Sequence, residues 1–206
     1  TGYISTLQRL PEPLRTIMLD PDKGFAMGLK DDLFQVIPTT WVLAAIERGK
    51  DTPKPKVPLT ALGVDPSLGG EDEFVIARRY ANWYDEIVAI PGFEVPTGQV
   101  GSALVLKEVD DGTDPDVNVD IIGVGSTTFN FLQESNLGYV NPINFAEASS
   151  ELDTSGKYRL ANVRAAAYWG IRQALDPEKG DEICFPDDDI LKADLCAHRY
   201  KITARG

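Results

Sequence analysis

Two aspartates stand at or near the carboxyl ends of two apolar segments that have the pattern of strands. Asp65 directly follows the apolar run 59–64, and Asp120 lies near the end of the run 116–122. If these strands pair in parallel, both carboxylates emerge at one edge of the sheet, where open α/β sheets bind ligands. Two carboxylates a few ångströms apart repel each other unless a divalent cation lies between them. Hard oxygen ligands of this kind favour Mg²⁺ or Mn²⁺.

Each of these acids also has an ordinary structural interpretation. Asp65 precedes a proline and a Gly-Gly pair, which is typical turn chemistry, and Asp120 is then a strand-end residue. Asp72 is a weaker candidate for a metal-linked group and is otherwise a solvated turn residue. The acidic run 187–189 is typical of a helix N-terminus, and Asp188 is its weak metal-ligand candidate.

The rare residue types exclude several other chemistries. The chain has one histidine, His198, and two cysteines, Cys184 and Cys196, so it cannot assemble an all-Cys/His four-ligand zinc site by itself. Any Ser-His-Asp or Cys-His mechanism would have to use His198, and Cys196 lies two residues away, which on a helix points the two side chains in different directions. The chain lacks a G-x-x-x-x-G-K-[ST] phosphate loop. Two cysteines without a disulfide framework fit a reducing compartment, which predicts the cytoplasm.

Composition predicts a globular protein that does not coat nucleic acid through charge. The 206 residues are 43% hydrophobic and 25% charged, and no apolar run approaches the length of a membrane span. The formal net charge of −12 opposes general attraction to phosphate backbones. Carboxylates that hold divalent cations are an exception, because the ions reverse the local sign of the field.

Basic residues are fewer than acidic ones, and they predict at most a small basic surface, or rim, that contacts DNA. Arg78, Arg79, Lys157 and Arg164 are the candidate DNA-binding residues, and the further members of such a rim are Arg159, Arg199, Lys201 and Arg205. The alternative is scattered surface charge. Either way, we expect weak DNA affinity for the isolated chain.

The predicted elements follow the order β-β-β-α-β-α-β-α-α after an irregular lead-in. Strands are predicted at 59–64, 73–80, 83–90, 116–122 and 139–145, with a last strand at 198–204. Helices are predicted at 39–49 (capped by Thr39 or Thr40), from 97 to about 109, after 123–126 up to 137, at 158–175 and from 186 to about 197. A Pro/Lys stretch at 51–58 predicts a boundary between a lead-in, 1–58, and a main domain, 59–206.

Several motifs, taken in order, resemble the nuclease domain of the large terminase subunit of tailed bacteriophages. They are LGVDPSLGGEDE (62–73), VDIIGVGS (119–126), FAEA (145–148), NVRA (162–165), FPDDDILKADL (185–195) and RYK (199–201). The lead-in motifs LPEPL (10–14) and QVIP (35–38), with Trp41, are similar to the segment that joins the packaging motor to the nuclease in that family. The resemblance covers nearly the whole chain.

This resemblance implies a ribonuclease H-like α/β fold with a central mixed sheet of five or more strands flanked by helices. It implies a metal-dependent endonuclease that cuts concatemeric viral double-stranded DNA during genome packaging in the host cell cytoplasm. Asp65 would bridge two Mg²⁺ or Mn²⁺ ions about 4 Å apart, with Asp120 as a further ligand. The implied partners are DNA, an ATPase motor domain preceding Thr1 in the same polypeptide, a portal and a small terminase subunit.

One expected part of the family pattern is missing. The third catalytic acid usually follows in a C-terminal Asp-x-x-Asp-Ala-like helix, and no such helix precedes Gly206. Either that acid lies beyond Gly206, or the third ligand comes from the 187–189 run or from His198.

Three alternatives remain open at this point. The segment 120–126 superficially resembles the glycine-rich phosphate turn of actin-like and sugar-kinase ATPases, with Asp65 as the metal ligand. An acidic, noncatalytic docking domain is the second alternative. The third is another ribonuclease H-like nuclease, such as a Holliday-junction resolvase, which would use the same carboxylates.

Overall fold

The computed structural model describes residues 31, 34–109, 112–135 and 137–202. The helices are α1 (Thr39–Asp51), α2 (Gly98–Lys107), α3 (Gly125–Gln133), α4 (Val163–Ala174) and α5 (Asp189–Ala197). The strands are β1 (Ala61–Asp65), β2 (Glu73–Tyr80), β3 (Trp83–Tyr84), β4 (Val88–Pro91), β5 (Asp116–Asp120) and β6 (Val140–Ile143). None of the helices formed by these residues is long and apolar enough to cross a bilayer.

The six strands form one mixed sheet in the order β3-β2-β1-β5-β6, and β4 also pairs with β2. Strand β2 is antiparallel to β1, β3 and β4, which makes the first half of the chain a meander, as predicted. Strand β5 is parallel to both β1 and β6. The sheet thus changes from antiparallel to parallel pairing at β1.

The first hydrophobic core covers one face of this sheet. Alternation along β1 and β5 sends every second residue inward, and helices α2 and α3 pack over those residues. Its fully buried members include Leu62, Phe74, Ile76, Val105, Val117, Val119 and Leu132. Burying side chains of this size is the main source of stability for such a layer.

A second hydrophobic core joins the beginning and the end of the described chain. Helix α1 packs with α4, α5 and the segment before α5 around Val36, Ile37, Val42, Ala45, Ile46, Leu175, Ile183, Phe185 and Leu195. The backbone N–H of Phe185 donates to the carbonyl of Ala45 over 3.1 Å. The domain boundary predicted at residue 58 stays a prediction, but α1 is part of the same packed unit as residues 183–195.

The predicted elements match in kind, with local differences that have physical causes. The strand predicted at 83–90 is split into β3 and β4, because the Asp85 carboxylate bonds Lys54 and the N–H of Glu86 at the break. The helix predicted from 158 begins only at Val163, because Asn162 caps it by accepting a hydrogen bond from the Ala165 N–H.

The ends of the described chain also differ from expectation. Thr39 is the first residue of α1 and not its cap; its N–H is instead bound by the Asp31 carboxylate at 3.1 and 3.2 Å. In the described part of the predicted strand 198–204, Arg199 makes only an isolated bridge to Gln35. The motif at 10–14, residues 203–204 and Arg205 lie outside the described residues.

Helices α2 and α3 approach so closely that one position of α2 needs glycine. A Cβ atom on Gly98 would lie 2.6 Å from the backbone carbonyl carbon of Thr127 in α3. Backbone atoms cannot move aside as a flexible side chain can. The spacing of the two helices over the sheet therefore depends on Gly98.

We expect Gly98→Ala to lower the free energy of unfolding by about 1 to 3 kcal/mol, because the new methyl group overpacks the helix contact. Gly170→Ala is the matched control, since nothing lies within 4 Å of a Cβ at that position in α4. The control should be neutral or stabilising by up to about 1 kcal/mol through helix propensity. Urea denaturation measures both, and equal effects of the two substitutions would contradict the packing argument.

Candidate active site

The parallel pairing of β1 and β5 brings Asp65 and Asp120 together. Val64 pairs with Val119 in the register of the two strands, so Asp65 and Asp120 follow at the next position along each strand. Both valines are buried in the first core. Because successive side chains alternate between faces, the two aspartates share the opposite face of the sheet. The predicted juxtaposition at the carboxyl edge is therefore present.

The turn after β5 holds the Asp120 carboxylate in place. Its Oδ1 accepts a hydrogen bond of 2.9 Å from the N–H of Ile122, and Gly123 then takes a positive φ of 64°. Helix α3 begins directly afterwards at Gly125, where a Cβ atom would collide with the carbonyl oxygen of Asp120. Within the described residues, Asp120 Oδ2 accepts no hydrogen bond. One oxygen of this carboxylate is thus structural, and the other is available to a ligand.

Ionisation of the Asp65 carboxyl is disfavoured in the folded chain. Partial burial raises the pKa of its carboxyl above the ordinary value, and the negative charges of Asp120 and, more weakly, Asp72 raise this pKa further. The positive charge of Arg164 acts in the opposite direction. The fold thus holds an acid where ionisation is costly, which is typical of functional sites.

Asp72 and Arg164 border the pair from two other segments. Asp72 ends the loop between β1 and β2, where its carbonyl accepts hydrogen bonds from Ser67 Oγ and the Gly92 N–H. Arg164 lies in the first turn of α4, and its guanidinium sits 5.8 Å from the ring centroid of Phe145, just beyond β6. Both side chains are close enough to influence Asp65 electrostatically.

Two oxygen-donor carboxylates, one of them carrying an elevated pKa, fit a divalent cation, because the cation would remove their mutual repulsion. Among the described residues, however, no three or more Asp, Glu, His or Cys side chains form a group that could hold a metal ion. By itself the pair would therefore supply only part of a coordination shell.

The two proposed sources of a third ligand are engaged elsewhere. Asp188 caps α5, where its Oδ1 accepts hydrogen bonds from the N–H groups of Ile190 and Leu191. The His198 ring stacks on Tyr168 at a centroid distance of 3.7 Å. Neither joins the aspartate pair in a three-ligand group.

The candidate DNA-binding residues do not form one patch with the pair. Arg78 and Arg79 lie opposite the first residues of β1, at the far end of that strand from Asp65. The Arg78 guanidinium is neutralised by Glu108 at 2.9 Å and Asp85 at 3.6 Å. A DNA-binding role for these two residues stays a prediction.

Lys157 lies in a tight turn, where its N–H donates to Asp153 Oδ1 over 3.1 Å. Its role in DNA binding also stays a prediction. Arg164 alone, of the four candidates, acts electrostatically on Asp65.

Two asparagines beside the pair were not among the sequence candidates. Asn118 pairs with Asn141 across β5 and β6, and the Asn141 amide donates to Asn118 Oδ1 over 3.3 Å. Asn118 lies two residues before Asp120 and thus on the same face of the sheet. The sequence did show one asparagine inside each of these two short apolar strands. That the two asparagines meet depends on how the strands pair, which the sequence pattern does not show.

The fold is similar to that of the nuclease domain of the large terminase subunit gp2 of bacterial virus Sf6. A mutant of that domain with manganese and beta-thujaplicinol aligns with a TM-score of 0.60, at 19% identity, over 83% of this chain and 85% of that chain. The mutant with calcium aligns with a TM-score of 0.59, and the nuclease domain itself with 0.57, at the same identity and coverage. Comparisons with protein-family models and with curated proteins find no match. The predicted ribonuclease H-like fold, with its central mixed sheet flanked by helices, is confirmed.

We expect Asp65→Asn to raise the melting temperature in metal-free buffer at pH 7 by a few degrees. The pKa of Asp65 is higher in the folded chain than in the unfolded chain, so ionisation destabilises the fold and the neutral amide relieves that cost. The advantage should shrink as the pH falls through the raised pKa of Asp65, because the wild-type carboxyl then becomes neutral as well.

Asp116→Asn, at the other end of β5, is the control for loss of one negative charge. Thermal denaturation followed by circular dichroism in EDTA measures all three proteins. A lower melting temperature for Asp65→Asn than for Asp116→Asn at pH 7 would show that the Asp65 charge is not strained.

Proposed function

We propose that this chain is the nuclease domain of a large terminase subunit and cuts double-stranded viral DNA with the help of divalent cations. The observation that carries the proposal is the placement of Asp65 and Asp120 on one face, at the shared carboxyl edge of two parallel strands. Similarity of fold to the Sf6 gp2 nuclease domain, solved with manganese and with calcium, supports it.

The aspartates would act as ligands and not as proton carriers. Asp65 and the unbonded oxygen of Asp120 would coordinate the metal, which we take to be Mg²⁺ or Mn²⁺ and, from the sequence resemblance, two ions. A bound divalent cation supplies Lewis-acid activation of water and stabilises charge on the phosphate. Since Asp120 Oδ1 is fixed by the Ile122 N–H, the carboxylate is oriented before the ligand arrives. Asp72 remains a weaker candidate, and Asp188 would have to give up its capping hydrogen bonds in α5 to serve as one.

Arg164 would assist from the other side of the pair. Its guanidinium offers planar, always charged donors that suit a phosphate oxygen. It lies on the first turn of α4, near enough to Asp65 to act on its charge. In this arrangement the carboxylates hold the metal and the arginine holds the substrate phosphate.

The substrate and partners in this proposal follow the resemblance seen in the sequence. Double-stranded DNA is the substrate, an ATPase motor in the same polypeptide delivers it, and the portal and small terminase subunit assemble with that motor in the host cell cytoplasm. The chain's net charge of −12 leads us to expect that the partners contribute most of the affinity for DNA.

We expect Asp65→Asn and Asp120→Asn each to reduce Mn²⁺-dependent nicking of supercoiled plasmid by about 100-fold or more, equivalent to about 2.7 kcal/mol of transition-state stabilisation. Asp116→Asn, on the same strand as Asp120 but at its opposite end, should retain wild-type nicking. Full activity of both site variants would refute the assignment.

Metal binding gives a second, independent measurement. Calorimetric titration with Mn²⁺ should show binding to the wild type and to Asp116→Asn, and lose it in Asp65→Asn. An acidic docking surface has no need of a paired-carboxylate site, so binding unaffected by Asp65→Asn would favour that alternative.

A further inference from the structure

A cavity of about 560 Å³ lies between α4, the loop before it and the segment that follows α5. Its lining includes five aromatic side chains, Tyr158, Tyr168, Trp169, His198 and Tyr200. The volume falls within the usual range of small-molecule sites, roughly 300 to 1,000 Å³. We call it the aromatic cavity, and neither Asp65 nor Asp120 lines it.

The rings of this cavity are fixed in place. Tyr168 and His198 are stacked with an interplanar angle of 25°. The partner of His198 Nδ1 is the Asp194 carbonyl oxygen at 3.0 Å, so this nitrogen is the donor and the imidazole orientation is set. Trp169 packs edge-on against Tyr200 at 5.7 Å. Fixed aromatic faces are what a planar base stacks on.

The cavity is also locally cationic in an acidic chain. Four positive side chains line it, Arg159, Arg164, Arg199 and Lys201, together with one carboxylate, Asp153. Asp153 is turned toward its own loop, where it accepts hydrogen bonds from Ser155 Oγ and from the N–H groups of Lys157 and Tyr158.

The rim of the cavity carries two positive side chains that no ion pair among the described residues neutralises. Arg159 and Lys201 are exposed, and neither forms an ion pair with any acid in the described part of the chain. Aromatic faces beside unpaired cations match a ligand that has both a flat ring and a phosphate.

We propose that the aromatic cavity binds one nucleotide, with its base against the Tyr168 and His198 rings and its phosphate at Arg159, Arg164 and Lys201. Arg164 lines the cavity and also acts on Asp65, so the nucleotide would lie beside the carboxylate pair. The inference that this nucleotide belongs to the strand being cut rests on the proposed nuclease function. A free mononucleotide has the same chemistry, and the experiment separates the two sources.

Fluorescence anisotropy in EDTA measures binding of a labelled ten-residue oligothymidylate without cleavage, with unlabelled dTMP and ATP as competitors. The double substitution Arg159→Ala with Lys201→Ala should raise the dissociation constant about 10-fold and make the salt slope shallower by up to about 0.7, the value for one lost phosphate contact on a single strand. Lys107→Ala with Lys179→Ala is the matched control, because it removes two exposed cations that do not line the cavity.

The aromatic half of the cavity is tested at Tyr168. Tyr168→Phe keeps the ring and should bind like wild type, whereas Tyr168→Ala should bind several-fold more weakly. Tyr168 also packs on the second core, so the exposed Arg159 and Lys201 pair provides the decisive comparison if the alanine variant fails to fold.

Each outcome bears on the proposal. Weaker oligothymidylate binding in the Arg159 and Lys201 variant than in its control supports a strand nucleotide, and displacement by dTMP or ATP alone supports a free one. Absence of any binding by wild type, or equal binding by the two double variants, overturns the proposal.

The Asp65→Asn variant separates this inference from the proposed function. In EDTA it should bind the oligonucleotide at least as tightly as wild type, because the substitution removes a negative charge near Arg164. If the nicking assay fails while the Arg159 and Lys201 effect persists, the cavity stands as a nucleotide site without the nuclease assignment. If nicking depends on Asp65 and the two double variants bind alike, only the cavity proposal fails.

Discussion

Parallel hydrogen bonding between β1 and β5 is the constraint on which the candidate site depends. The register that places Val64 beside Val119 buries both valines in one core and leaves Asp65 and Asp120 together on the other face. A shift of one residue would bury a carboxylate, which is far costlier than exposing a valine. Apolar burial on one face therefore holds two like charges together on the other.

The fold tolerates the repulsion between Asp65 and Asp120 because this cost is confined to one site, whereas hydrophobic burial in other parts of the chain stabilises the fold. The raised pKa of Asp65 is the signature of this cost. Two hydrophobic cores, one under α2 and α3 and one joining α1 to α4 and α5, provide the compensating burial. Cations are also unevenly distributed, since Arg78 is neutralised at one end of the sheet, while Arg159 and Lys201 at the aromatic cavity form no ion pair with an acid of the described ranges.

Much of the fold was predictable because its signals are local. Strand β2 occurs as predicted, α2 begins beside the predicted residue 97, and the acidic run 187–189 lies at the N-terminus of α5 as predicted. These signals depend on neighbouring residues, and the side chains of Thr97 and Asp188 cap the two helices. Boundaries were less predictable: the helix expected from residue 158 starts at Val163, where Asn162 interrupts the chain. Helical periodicity alone could not show that the Asn162 side chain caps the helix at this point.

The sequence by itself determined which residue types were available, namely two strand-end aspartates, one histidine and few cations. Only the tertiary structure decided which of them meet. Asp65 and Asp120 are neighbours because their strands pair in parallel, whereas Asp188 caps a helix and His198 stacks on Tyr168. The pairing of Asn118 with Asn141 and the assembly of the aromatic cavity likewise follow from long-range packing, because residues distant in the chain have no shared local pattern to mark their contact.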